Sequence, residues 1–437
     1  MKFKQLLIGS VLWRGLYFFS VLLLNVLIAR NFEASGSGWL YYITNNFSFI
    51  LLLISLSIES GMTFFSSKNE ISPAKLSTLS LIWSSLASIL IGLLVLTVYN
   101  DPDKSESRQQ FLFFTFTYVT GNLLTTFFCA LFYARSSFAR PNIILTLTNT
   151  ILAISIAAIF YLEEGPGLQD LVLKLYMFNF VVQGVLLAIA YMSQRDISPK
   201  FALPDFQNMK MLFRYSSVAF IANILFFLLY RIDYWFVKKI CVVCEEGDLG
   251  NYIQVSKVGQ MFLLLPAIVA GTIFPRTAGG FREQVNMWLP AMVKGILLVY
   301  LSVLLVLALT GSWLFPLVYG SSFSEIYIPF LFLIPGILSL SGIALMSAYN
   351  SGKDRVSTNL KCCLIGLIFI VIGDLIFIPR YGIYGAAAVS SIAYVLCFAY
   401  LLTVFTRQYG VPLSDFFIPY RDDLKKIKKI FFNNAGN

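Results

Sequence analysis

The sequence has no histidine among its 437 residues, and only 12% of them are charged. Without histidine the chain lacks the commonest general base, proton shuttle and metal ligand. Every Ser-His-Asp or Cys-His nucleophile is excluded with it. Soluble domains carry about 25% charged residues, and half that supply cannot cover a globule of this size with polar groups. No Gly-x-x-x-x-Gly-Lys-Ser/Thr segment occurs, so the chain has no P-loop for nucleotide hydrolysis. Ser351-Gly352-Lys353-Asp354 is only a basic loop. Connections between apolar runs are short, which leaves no room for the exposed acid/base pair of a polymerase or glycosyltransferase. Cysteine is sparse, at six. Cys129, Cys362, Cys363 and Cys397 lie in apolar runs and read as small apolar residues. Cys241 and Cys244 form a Cys-x-x-Cys in a connection, which outside the cytoplasm can close as a disulfide. With no further Cys or His nearby it is no zinc site, and neither a metal nor a cofactor is expected.

What the chain has in abundance is hydrophobic residues, at 58%, with a mean hydropathy of +0.78. A membrane span needs about 20 mostly apolar residues. Twelve such runs are predicted, at 5–29, 38–62, 76–99, 110–133, 141–162, 169–193, 213–237, 250–274, 287–310, 325–349, 357–379 and 382–406. The runs are continuous rather than alternating, which excludes a β-barrel. The first is too long for a signal-peptide core and reads as a retained helix. The net charge of +10 is a topology signal and not a nucleic-acid footprint. With a cytoplasmic N-terminus, cytoplasmic segments hold twenty Lys and Arg against six in the opposite loops. The positive-inside rule then places both termini in the cytoplasm. Asp101, Asp103, Glu106, Glu163, Glu164, Glu245, Glu246 and Asp248 all fall in outer loops. In the basic tail, Leu424, Ile427, Ile430 and Phe431 share one helical face, which suits either a helix on the anionic inner leaflet or a solvated tail.

A weak repeat divides the chain. Ala130-Leu131-Phe132-Tyr133-Ala134 and Ala344-Leu345-Met346-Ser347-Ala348 end spans four and ten, 214 positions apart; Gly38 and Gly250 open spans two and eight, 212 apart. The expected fold is all-α and integral to the membrane. It has twelve transmembrane helices, as two six-helix lobes related by a pseudo-twofold axis along the membrane normal, around a central cavity. The expected partition is 1–193 as the N-terminal lobe, 194–212 as a cytoplasmic linker, 213–406 as the C-terminal lobe and 407–437 as the basic tail.

Ionisable groups inside a bilayer cost about 2.5–3.5 kcal/mol each and normally face a cavity or a partner. Arg14 lies deep in span one, Glu59 near the end of span two, Arg231 and Asp233 in span seven, Lys257 in span eight and Asp374 in span eleven. Lys174, Lys294 and Lys361 are near enough to span ends to snorkel. Arg14, Arg231 and Lys257 suit an anionic substrate, since arginine forks onto phosphate oxygens. The plainer alternative pairs each cation with an acid, Arg231 with Asp374 or Arg14 with Glu59. Asn25, Asn45, Asn46, Asn122, Asn179, Gln183 and Asn223 could meet sugar hydroxyls or simply bridge helices. Pro266 and Pro335 are candidate bends.

Several stretches resemble bacterial polysaccharide transporters, the O-antigen flippase group of the multidrug/oligosaccharidyl-lipid/polysaccharide exporter superfamily. They are Arg30–Gly38 with Tyr41-Tyr42 and Ser60-Gly61-Met62, then Tyr230-Arg231-Ile232-Asp233. Gly250-Asn251-Tyr252 follows, with Leu263-Leu264-Leu265-Pro266 and Phe274-Pro275-Arg276. The last is Ile378-Pro379-Arg380-Tyr381-Gly382-Ile383-Tyr384-Gly385-Ala386-Ala387-Ala388. The resemblance implies two six-helix lobes around a cavity. It also implies a flippase, not an enzyme, that carries an undecaprenyl-diphosphate-linked oligosaccharide across a bacterial inner membrane. Arg14, Arg231 and Lys257 are then the expected substrate contacts. Asp233, Asp374 and Glu59 are candidates for charge tuning or for binding a coupling proton or sodium ion. Membrane lipids, and the polymerase and chain-length machinery of the same pathway, are candidate partners; no nucleic acid is expected. The rivals are a multidrug exporter of the same superfamily, whose cavity should be acidic, a membrane polymerase, and a scramblase or scaffold.

Overall fold

A computed structural model describes residues 3–98, 107–162, 167–194, 202–278 and 282–418. The amphipathic tail, the outer-loop acids of 101–106 and 163–164, and 195–201 of the expected linker lie outside the described residues. Among those described there is no strand. The helices are α1 (Phe3–Ser55), α2 (Ile58–Ser67), α3 (Pro73–Val98), α4 (Arg108–Ala134), α5 (Ala139–Leu162) and α6 (Leu168–Met192). They continue as α7 (Phe206–Ile240), α8 (Asp248–Met261), α9 (Leu264–Ala278), α10 (Arg282–Tyr319), α11 (Tyr327–Gly352) and α12 (Val356–Tyr409). Ten helical stretches among the described residues are long and apolar enough to cross a membrane. Large apolar side chains stand exposed at mid-helix, among them Leu86, Ile151 and Leu309, as lipid-facing positions should. The chain is a multi-pass membrane protein.

Ten stretches stand where twelve apolar runs were predicted, and the difference lies in α1 and α12. At 1.5 Å per residue, the 54 residues of α12 would extend about 80 Å, far beyond the roughly 30 Å hydrocarbon core. The helix is not straight. At Gly382 the backbone leaves the helical region (φ 56°, ψ −138°), and the chain folds back. Cys362 and Cys397 exchange Sγ–H···O=C contacts at 3.5 and 3.2 Å, and Gly373 packs against Val389. The two arms of α12 therefore run antiparallel. In α1 the interruption is Glu33 (φ 56°, ψ −175°), a conformation that costs a non-glycine residue about 1–3 kcal/mol.

Two further predicted runs are interrupted. The run 38–62 breaks at Leu56 and Ser57, both left-handed (φ 49° and 53°), where α1 ends and α2 begins. The run 250–274 divides into α8 and α9 at Phe262-Leu263. Pro266 thus falls in the first turn of α9, where a missing N–H costs nothing. Pro335 lies within an unbroken α11.

The chain forms two compact units. One runs through Gln5–Asn31 and Ile43–Ile224; the other comprises Phe32–Tyr42 and Leu225 onward. In the first unit, Gly121 on α4 meets the backbone of Phe180 on α6 so closely that no Cβ would fit. A polar cluster ties three helices: Asn149 donates to Ser20 (3.1 Å) and accepts from Gln183 (2.7 Å) and Asn179 (3.3 Å). Asn223 donates to Ser57 at the helix break (2.9 Å). The polar residues at 179, 183 and 223 bridge helices here, and Asn122 bonds its own helix at Tyr118 O.

In the second unit, α11 packs in parallel on the second arm of α12, with Gly336 N–H donating to Ser391 Oγ at 2.9 Å. Cys241 and Cys244 are joined as a disulfide in the α7–α8 connection. A Cβ at Gly382 would lie 3.5 and 3.6 Å from the two sulfurs. The bend of α12 and the disulfide turn are therefore packed on each other.

Gly382→Ala is expected to destabilise the protein by about 1–3 kcal/mol, because its positive φ excludes a side chain. Gly92→Ala, in the interior of α3 with only Leu112 Cδ1 at 3.9 Å from the new methyl, is expected to be neutral or stabilising. Thermal unfolding of the two variants in detergent checks this; equal melting temperatures would contradict it.

Candidate functional site

The second unit holds four of the six ionisable residues singled out from the sequence. Their placement begins with a close approach of backbones. A Cβ at Gly38 would come within 2.7 Å of Gly250 N and Cα, and one at Gly250 would overlap the Ala34 carbonyl. With α1 and α8 this near, Tyr41, one turn beyond Gly38, faces Lys257, two turns beyond Gly250. The Lys257 ammonium sits 2.8 Å from the centroid of the Tyr41 ring. Arg231 lies over Phe227, at 5.5 Å, and is within electrostatic reach of Lys257. Two cations thus share one region of the unit, each against an aromatic face. Such contacts gain about 2 kcal/mol or more when desolvated.

Asp233 is buried, 3% exposed. It accepts from Tyr234 N–H at 2.9 Å, from Ser390 Oγ at 3.2 Å and, through a short bond, from the Tyr252 hydroxyl. Asp374 is wholly buried, at 0%. Neither of its carboxyl oxygens has a hydrogen-bond partner, and Asp233 is within electrostatic reach. The alternative pairing of Arg231 with Asp374 is therefore absent. A cavity of about 30 Å³, lined by Asp233, Tyr252, Ser390, Gln260 and Tyr394 among others, adjoins Asp233. That is room for one water or one small ion. Asp374 is stable in such surroundings only with its charge compensated, by a cation or a proton.

The other two residues belong to the first unit. Arg14 lies over the rings of Tyr133 (4.8 Å) and Phe138 (5.1 Å), and its Nε is buried without a hydrogen bond. Glu59 stands in the first turn of α2, just past the break at Leu56-Ser57, with Oε2 buried and without a hydrogen bond. Among the described residues the two form no ion pair with each other. Lys174 pairs with Asp170 at 2.6 Å, an ordinary (i, i+4) contact.

Sequence reasoning brought out Asp233 and Asp374 but missed the hydroxyls that hold Asp233. Tyr252 lies inside the Gly250-Asn251-Tyr252 stretch, and Ser390 about two turns after the bend of α12. A tyrosine and a serine in apolar runs carry no signal of their own; only folding joins 233, 252 and 390.

No family model and no curated protein matches the sequence. Solved structures do resemble the fold. The structure of the lipid II flippase MurJ in an inward closed conformation superposes with a TM-score of 0.70 at 16% identity, over 98% of this chain and 100% of that one. A multidrug resistance MATE family transporter of the MOP superfamily, outward-facing, gives 0.63 at 13% identity, over 93% and 96%. A Pyrococcus furiosus MOP superfamily transporter, described as having a binding pocket of reverse polarity, gives 0.64 at 12% identity, over 93% and 96%. The likeness extends over nearly the whole length of each chain, and at these identities it is one of fold.

Tyr252→Phe is expected to cost about 1–3 kcal/mol, by removing a donor from a buried carboxylate. Asp374→Asn is expected to be neutral or stabilising, because an amide in that position needs no charge compensation. Chemical denaturation in micelles checks both. A large loss with Asp374→Asn alone would mean that the carboxylate is held by an unrecognised partner.

Proposed function

We propose that the chain is a transporter of the multidrug/oligosaccharidyl-lipid/polysaccharide exporter superfamily. Its cargo is an undecaprenyl-diphosphate-linked oligosaccharide, of O-antigen, capsule or related type. It moves that cargo from the cytoplasmic to the outer leaflet of a bacterial inner membrane. The observation that carries this reading is the placement of Arg14, Arg231 and Lys257 on aromatic faces within apolar, membrane-crossing helices. A diphosphate cannot cross hydrocarbon with its charge bare. Cations seated on rings can turn to phosphate oxygens as the cargo arrives, and arginine offers the forked geometry that phosphate prefers.

In this reading α1 and α12 each cross twice, giving twelve crossings. They form two six-helix lobes (1–193 and 213–406) about a central cavity, with both termini cytoplasmic. The internal repeat and the distribution of Lys and Arg support that arrangement. Access alternates between the two faces as the lobes rock, and the breaks at Glu33, Leu56-Ser57 and Gly382 are natural points of flexure. Asp233 and Asp374 form the coupling site. A sodium ion or proton entering the small cavity beside Asp233 would bring positive charge to the pair of carboxylates and link the gradient to the conformational change. Glu59 tunes charge in the other unit. The polymerase and chain-length machinery of the pathway would take the product, and no cofactor is involved.

A multidrug exporter is the second reading. The carboxylates of Asp233 and Asp374, both buried, and of half-buried Glu59 favour it, since an organic cation would seek them, and transporters of that class share the fold. A polymerase has less support, because the chain offers no exposed acid/base domain.

A strain deleted for the gene, complemented with wild type, Arg14→Ala or Arg231→Ala at equal membrane levels, separates these readings. The deletion is expected to accumulate lipid-linked repeat units on the cytoplasmic leaflet, with neither variant clearing them. Unchanged glycolipid together with raised sensitivity to cationic drugs would assign the exporter function instead. In vesicles, transport that survives collapse of both proton and sodium gradients would remove Asp233 and Asp374 from the coupling role.

A further inference from the structure

A second cavity, of about 500 Å³, lies on the second unit among α10, α11 and the second arm of α12. It is separate from the residues assigned above to cargo and coupling. Its floor is Phe398, Leu402 and Phe416, all buried, while its rim residues Leu298, Leu301, Leu413 and Phe417 are each about 40–50% exposed. It is therefore an apolar groove that opens on the lipid-facing surface of the helices.

The groove has a built end wall. After α12 stops at Gly410 in the left-handed conformation, the chain turns through Pro412 and a short 3-10 turn, Leu413–Phe416. Phe416 inserts edge-on against Phe405, with centroids 5.6 Å apart. The next residues close on α10, where Lys294 Nζ donates to Ile418 O at 2.5 Å. Lys294 is 3% exposed. It is not a snorkelling side chain, as its position near a span end suggests, but a buried cation at one end of an apolar trough.

Length and charge together point to the occupant. Along α10 the lining runs from Lys294 to Leu301, and along α12 from Val395 to Thr403. At 1.5 Å per residue this is about 10–12 Å, the length of part of one acyl chain and a fraction of a polyprenyl chain. A single ammonium at the interfacial end suits a single phosphate.

We infer that this groove is a binding site for an anionic membrane phospholipid: one acyl chain lies along α10 and α12, and the phosphate sits at Lys294 beside the Leu413–Ile418 strap. The lipid comes from the leaflet in which α12 ends. By holding the strap against α10, it ties the end of the last helix to the rest of the unit. The inference does not depend on the cargo, and its test leaves Arg14, Arg231 and the carboxylates untouched.

The test is native mass spectrometry of the full-length protein, released from detergent and titrated with phosphatidylglycerol, phosphatidylcholine or undecaprenyl phosphate. One phosphatidylglycerol is expected to be retained at least ~10-fold more tightly than phosphatidylcholine. Lys294→Gln should erase that headgroup preference, and Leu298→Trp, which blocks the mouth from an exposed position, should abolish retention without lowering the melting temperature. Equal retention of the two phospholipids by wild type would overturn the role of Lys294. Undiminished retention in Leu298→Trp would overturn the groove as the site. Displacement of phosphatidylglycerol by substoichiometric undecaprenyl phosphate would make the groove part of the cargo path and overturn the proposal in its stated form.

Discussion

Charge inside hydrocarbon must be compensated where it stands, and much of this molecule's polar architecture answers that constraint. Each uncompensated ion costs about 2.5–3.5 kcal/mol or more in a bilayer, a large share of a typical folding free energy. The protein uses different solutions for the two signs. Its deep cations rest on ring faces, as Lys257 does on Tyr41 and Arg14 does on Tyr133 and Phe138. The carboxylate of Asp233 is held by hydroxyls and a backbone N–H. Ring faces stabilise a cation without neutralising it, so the charge remains able to attract an anion. Hydroxyls hold Asp233 without cancelling its charge, so the pair with Asp374 remains able to attract a cation.

These arrangements depend on helices that break and on backbones that nearly touch. Tyr41 reaches Lys257 because Gly38 and Gly250 allow α1 and α8 to meet without side chains between them. Ser390 reaches Asp233 because α12 turns back at Gly382 and lays its second arm along the unit. The disulfide turn at Cys241–Cys244 packs on that bend. A straight 54-residue helix would have left Asp374 and Ser390 far apart.

Most helices were legible in the sequence because long apolar runs bounded by short charged connections leave little choice in a membrane. The runs 76–99, 110–133, 141–162 and 169–193 correspond closely to α3 through α6. The breaks were harder to see. Leu56-Ser57 carries neither glycine nor proline, and the partners of its left-handed turn include Asn223, far away in sequence. Pro335 stands inside a continuous α11, so proline there does not end the helix. At the site, charge in an apolar run pointed to Asp233 and Asp374, whose proximity the fold then provides. Tyr41 and Tyr252 lie in stretches that carry the family resemblance, but their contacts, like that of Ser390, were not legible, because aromatic and hydroxyl residues are ordinary in such runs until their partners are known. Lys294 was misread for the same reason: position along a helix does not reveal that a later strap will bury the side chain.

The proposed transport depends on the sign of charge that the interior is built to receive. The most direct measurement is equilibrium binding to the purified wild-type protein of three probes of similar apolar size: a polyprenyl diphosphate, the corresponding neutral polyprenol and a lipophilic quaternary ammonium. Preferential binding of the diphosphate, weakening as salt is raised, is expected if Arg14, Arg231 and Lys257 face the cargo. Preferential binding of the ammonium ion, with the diphosphate no better than the alcohol, would contradict it and make the buried carboxylates the cargo site.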